Sequence, residues 1–121
     1  MRVLAIDHVQ LAIPPGGEAA ARAFYIGVLG FTEIPKPEAM RARGGMWLAH
    51  GPVAIHLGIE PDMRPSVKMH PALVVSELEE WRVRLVAAGC EWKPADDVPG
   101  TNRAHTKDPF GNRIELIEAP K

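Results

Sequence analysis

The stretch Asp7-His8-Val9-Gln10-Leu11-Ala12-Ile13 decides the fold, because Met69-His70-Pro71-Ala72-Leu73-Val74-Val75 answers it 62 positions later. Each places a histidine at the start of a short segment with apolar residues at alternate positions, the period of a strand with two unlike faces. Further on, Val28-Leu29-Gly30-Phe31-Thr32-Glu33-Ile34-Pro35 is matched by Ala87-Ala88-Gly89-Cys90-Glu91-Trp92-Lys93-Pro94, with both glycines and both prolines 59 apart. Ile55-His56-Leu57 and Ile114-Glu115-Leu116 repeat the offset of 59. The loop Pro14-Pro15-Gly16-Gly17 is the natural place for the three extra residues. An internal repeat of this kind sets the architecture before any single element is assigned.

Each half then reads as strand, helix and three strands. The helices are predicted over residues 18–29 and 77–88. In the first, Ala19, Ala20, Ala23, Phe24, Val28 and Leu29 form the apolar face; in the second, Leu78, Trp81, Leu85, Val86 and Ala88 do so. Gly30 and Gly89 are C-terminal caps, and Ser76 with Glu79 has the spacing of a capping box. Strands follow at 31–34, 45–49 and 53–59, and again at 91–94, 103–107 and 113–118. Turns at His50-Gly51-Pro52 and Asp108-Pro109-Phe110-Gly111-Asn112 close a hairpin in each half. The expected fold is α+β: two tandem βαβββ modules forming a cup-shaped, mixed-sheet half-barrel with its helices outside. One domain over 1–121 is expected, with module 1 at about 4–59, a linker at about 60–68 and module 2 at about 69–118.

Composition narrows the function classes. The 121 residues carry 14 Lys and Arg against 15 Asp and Glu, so a phosphate-tracking surface and a nucleic-acid partner are not expected. The single cysteine, Cys90, excludes an intrachain disulfide and suits a reducing compartment. It follows Gly89 beside an apolar stretch and reads as a small buried hydrophobe. No apolar run reaches the ~18 residues of a membrane span. The first six residues meet Asp7 and His8 too early for a signal-peptide core. A cytoplasmic protein without a membrane partner is expected.

Strand alternation separates a bulky face from one suited to lining a cavity. His8, Gln10 and Ala12 oppose Val9, Leu11 and Ile13; Ala54, His56 and Gly58 oppose Ile55, Leu57 and Ile59. His70 and Glu115 take the corresponding places in the second half. Two such pairs meeting would make an His₃Glu set, whose imidazole and carboxylate donors suit Zn, Fe, Mn, Co or Ni rather than a thiolate zinc site. A carboxylate at Glu115, in an otherwise apolar strand, requires a metal or a cation partner. His56 is open to three roles: pocket lining, general base or fourth ligand. Arg103 and His105 share a face of their strand, where one could bind an anionic substrate or shuttle a proton, or both could face solvent. Gln10 and Trp47 are further pocket candidates. The segment 35–45 suits a lid or an irregular connector.

These residues carry a resemblance. The paired modules, Phe24-Tyr25…Val28-Leu29-Gly30-Phe31 and Asp108-Pro109-Phe110-Gly111-Asn112-Arg113-Ile114-Glu115-Leu116 are similar to the vicinal oxygen chelate superfamily. It includes glyoxalase I, fosfomycin-resistance thiol transferases, extradiol dioxygenases, methylmalonyl-CoA epimerase and bleomycin-resistance proteins. The resemblance implies one divalent ion per site, with His8, His70 and Glu115 matching metal ligands and a small-molecule substrate chelated through neighbouring oxygens. At His56 the chain departs from the glutamate typical of bacterial glyoxalase I and the glutamine of the epimerases. It is also shorter than a two-domain extradiol dioxygenase, and it lacks the Lys- and Arg-rich phosphonate pocket of the fosfomycin enzymes. A homodimer with shared sites is implied. Metal-dependent lyase, isomerase, transferase or dioxygenase chemistry is one expectation; a metal-free drug-sequestering protein of the bleomycin-resistance type is the other.

Overall fold

A computed structural model describes residues 1–121. The chain divides into two units, Met1–Met63 and Arg64–Lys121. The first holds β1 (Val9–Ile13), α1 (Glu18–Ala21) running on into a π-helical stretch (Arg22–Val28), β2 (Thr32–Ile34), a short α2 (Glu38–Arg41), β3 (Met46–His50) and β4 (Val53–Ile59). The second holds β5 (Ala72–Val75), α3 (Leu78–Ala87), β6 (Lys93–Pro94), β7 (Arg103–Lys107) and β8 (Arg113–Glu118). Both are βαβββ units, as the repeat predicts.

The two sheets have the same wiring: β1-β4-β3-β2 and β5-β8-β7-β6. The first and last strands of each unit pair in parallel, and the remaining neighbours are antiparallel. Each sheet is therefore mixed, and the fold is α+β. Both hairpins form at the expected turns. In the second, buried Asp108 accepts from the Phe110 and Asn112 backbone N–H groups at 2.9 and 2.8 Å. The strands start later than the alternation suggests, leaving His8 one residue and His70 two residues ahead of their ladders.

The helix ends follow the glycines. Gly30 and Gly89 have φ of +81° and +80°, the left-handed conformation in which a side chain is strained. Within the first helix the 3.6-residue expectation fails. The Leu29 N–H reaches back five residues to the Phe24 carbonyl at 2.9 Å, and this wider winding turns the adjacent Phe24 and Tyr25 both inward. Ala21, Phe24, Tyr25 and Leu29 are buried, whereas Ala19, Ala20 and Ala23 are exposed. In α3 only Leu78 and Leu85 are buried; Trp81 is half-buried and Val86 and Ala88 face solvent, a narrower stripe than expected.

Ser76 is not the cap of α3. Glu77 precedes the helix in a left-handed conformation, and the Leu78 N–H donates to Glu118 Oε1 of β8 at 3.1 Å. A side chain from 40 residues away does the work expected of a local one. Residues 35–45 carry α2 and are tied by Lys36 Nζ to the Gly44 carbonyl and by the Gly45 N–H to Glu18 Oε2 at 3.4 Å. Gly45 has φ +76°, and a Cβ there would stand 2.1 Å from the Leu57 carbonyl oxygen, so this crossing of loop over β4 tolerates glycine alone.

Candidate functional site

The richest group of polar side chains lies on one face of the second sheet. Register places Glu115 of β8 between Ala72 of β5 and His105 of β7. Because side chains alternate, Arg103 and His105 share this face of β7 with Glu115. Glu115 is 5% exposed. Its Oε1 is hydrogen-bonded to His70 Nε2 at 2.8 Å and lies 3.4 Å from His105 Nε2. Its Oε2 accepts from Arg103 Nη1 at 2.7 Å, while Arg103 Nη2 donates to Asp97 Oδ1 at 2.7 Å. The cation partner that a buried carboxylate requires is therefore present.

The electrostatics follow from these contacts. Burial pushes the Glu115 pKa up, but the His70 hydrogen bond, the Arg103 charge and His105 outweigh it and hold the carboxyl below its usual range. For His105, burial and the nearby Arg113 charge push the pKa down despite Glu115, favouring the neutral ring that a metal or a proton can use. Arg103 lies between two carboxylates, Glu115 and Asp97, and bridges them.

The donor set fits a divalent ion on three grounds. One nitrogen or oxygen from each of His70, His105 and Glu115 lies within 4.8 Å of the others. Two donors bonded to one ion at ~2.1 Å stand at most about 4.2 Å apart, so small side-chain movements close the set. Secondly, His105 Nε2 is buried and makes no well-formed hydrogen bond, only a 3.4 Å approach to Glu115 Oε1, so an ion could take its lone pair. Thirdly, His70 Nδ1 donates to the Lys68 carbonyl at 2.7 Å, which holds the ring with Nε2 aimed at the cluster.

The first sheet repeats the layout with other chemistry. His56 of β4 stands between Gln10 of β1 and Trp47 of β3. His8 stacks on His56 with ring centroids 3.8 Å apart and an interplanar angle of 14°. Trp47 stacks on His56 at 4.3 Å and 8°. Asp7 Oδ2 accepts from His8 Nδ1 at 2.8 Å. Burial, then the neighbouring His8, pushes the His56 pKa down. Gln10 is exposed and lies over Gly58, where a Cβ would meet its Nε2 at 2.6 Å.

Of the residues singled out from sequence, the second unit brings together His70, Glu115, Arg103 and His105, and the first brings together His8, His56 and Trp47. The ligand candidacy of His105 is what sequence reasoning missed. Its signal was its place two residues beyond Arg103 on a strand hairpinned to Glu115, but only the register puts it opposite the carboxylate. Asp97, the anchor of Arg103, carried no signal at all.

Two βαβββ units with the same sheet wiring are the architecture of a known class. The sequence signature of the Glyoxalase/Bleomycin resistance protein/Dioxygenase superfamily matches residues 5–116, and the chain belongs to that superfamily. Among solved structures, a glyoxalase family protein from Bacillus anthracis is 42% identical, with a TM-score of 0.94 over 99% of this chain and 98% of its own. The fosfomycin resistance protein FosX from Listeria monocytogenes shares the fold at 18% identity. In its glutamate-to-glutamine variant complexed with Mn(II) and 1S,2S-dihydroxypropylphosphonic acid, the TM-score is 0.79 over 96% of this chain and 90% of that one. TnmS3, an antibiotic binding protein from Streptomyces sp. CB03234, shares it at 22% identity and a TM-score of 0.72, over 98% of this chain and 100% of that one. No curated protein matches the chain. No helix is long and apolar enough to cross a membrane.

Proposed function

We propose that this protein is a divalent-metal enzyme acting on a small molecule through two neighbouring substrate oxygens. The observation that carries this reading is the convergence of one donor atom each from His70, His105 and Glu115 within 4.8 Å of one another. A bound ion would act there as a Lewis acid, polarising substrate oxygens. Zn, Fe, Mn, Ni and Co all suit two imidazoles and one carboxylate.

The chain's own groups supply the rest. Glu115 brings the negative charge, His70 and His105 bring neutral donors, and Arg103 with Asp97 holds the carboxylate. His8 stays in the proposed ligand set with His70 and Glu115, and His56 is either a fourth ligand or a base. The stack argues that His56 serves as a base or as support for His8. Two parallel rings 3.8 Å apart aim their in-plane lone pairs side by side rather than at one point. The low pKa of His56 leaves a ring nitrogen free to take a proton at neutral pH. Gln10 and Trp47 would line the substrate's side of this face. A cytoplasmic homodimer sharing its sites completes the proposal.

Metal content after chelator-free purification tests it, together with calorimetric titration of the stripped protein. About one ion per chain, lost in His70→Ala and Glu115→Gln, is the expected result. The second reading, a metal-free sequestering protein, draws on Arg103, which already neutralises Glu115 without an ion. Absence of metal, with no rise in melting temperature on adding any of the five ions, would decide for that reading.

A further inference from the structure

Arg103 is the one member of the second-sheet cluster that has no lone pair to offer an ion. Its guanidinium nevertheless takes Glu115 Oε2 at 2.7 Å and Asp97 Oδ1 at 2.7 Å, and its buried Nε finds no partner. The group is thus placed by the two carboxylates and not by its own full satisfaction. Oε1 alone remains shared between His70 and His105.

We infer that Arg103, anchored by Asp97, is a positioning residue that restricts Glu115 to ligation through Oε1 and loosens its hold on the ion, keeping positions open for substrate oxygens. The inference rests on the metal reading above. Two effects oppose one another when Arg103 is removed. Freeing one short carboxylate rotor costs affinity only a few-fold. Against that, a cation leaves the neighbourhood of the ion, Oε2 becomes a second donor, and the metal-free state is left with a buried carboxylate short of a cation. The second effect is larger, so Arg103 weakens binding while it orients the ligand. Asp97 sits on an exposed segment, its side chain 77% accessible, and sets how firmly the guanidinium is held.

Cobalt(II) alone is the probe, since its visible absorption weakens as coordination number rises. In Arg103→Met, cobalt should bind tighter by on the order of tenfold, opposite in sign to the loss usual for an outer-shell partner because the partner removed here is a cation, with a weaker visible band. Arg103→Lys keeps the charge and should stay near the unaltered protein. Asp97→Asn, at an exposed side chain, should tighten binding about two- to fivefold, as loss of an exposed ion pair allows. Unchanged or weaker affinity in both Arg103→Met and Asp97→Asn overturns the inference while leaving the metal reading intact. If Arg103→Met does not fold, Asp97→Asn decides by itself. No cobalt spectrum in the unaltered protein overturns the metal reading and this inference with it.

Discussion

His56 occupies in the first sheet the place that Glu115 occupies in the second. Each sits on the last strand of its unit, paired in parallel with the first strand and antiparallel with the third. The flanking pairs correspond: Gln10 and Trp47 beside His56, Ala72 and His105 beside Glu115. One scaffold thus carries an aromatic stack in one unit and a charged donor cluster in the other.

His105→Ala separates a three-donor cluster from a two-donor one. Metal affinity should fall at least about tenfold, the loss typical of even an outer-shell partner. Full affinity in isothermal titration would remove His105 from the ligand set. His8→Ala, measured alongside, reads the first unit's share in the same way.

Acid should destabilise this protein through Glu115. Its folded pKa lies below the unfolded one, so its contribution is full above the ordinary carboxylate range and is lost as pH falls through the folded value. Melting temperature followed from pH 7 to pH 3 should therefore drop less steeply in Glu115→Gln. Equal slopes in the two proteins would contradict the ionised, stabilised carboxylate.

Removing the guanidinium should also cost stability. Arg103→Met leaves the Glu115 carboxylate buried without its guanidinium partner, so the stripped protein should unfold at lower denaturant concentration. Denaturant unfolding at pH 7 measures it, and an unchanged midpoint would class the pair with ordinary surface bridges.

The imidazole stack has its own titration. His8→Ala uncovers the His56 ring and removes the neighbouring imidazole, so the His56 midpoint should move up toward the ordinary imidazole value. NMR titration of the ring protons would show this. A fixed or lower midpoint would mean that His8 is not what holds it down.

Two glycines with similar backbones should respond unequally to alanine. Gly89→Ala meets nothing within 4 Å at φ +80° and should cost only the ~1–2 kcal/mol of left-handed strain. Gly45→Ala adds a 2.1 Å contact with backbone at Leu57 and should cost clearly more, with equal melting shifts as the result that counts against the crowding. Similarly, Glu118→Ala should lower hydrogen-exchange protection of the first turn of α3, while Ser76→Ala leaves it unchanged.

The sequence by itself determined the βαβββ units, the hairpins and the glycine caps. Those features rest on local signals: a period of two, a turn residue, a backbone angle that only glycine adopts without strain. It also showed that Glu115 needs a metal or a cation partner, since burying a carboxylate in an apolar strand is costly wherever it occurs. Only the tertiary structure decided which cation. Arg103 reaches Glu115 because β7 and β8 pair in one register, and a slip by a single residue would have sent both Arg103 and His105 to the other face. The same holds for Glu118 on the start of α3, for Asp97 on Arg103, and for the five-residue winding that turns Tyr25 inward. Each depends on contacts between residues far apart in the chain or on packing against a sheet, which no local pattern encodes.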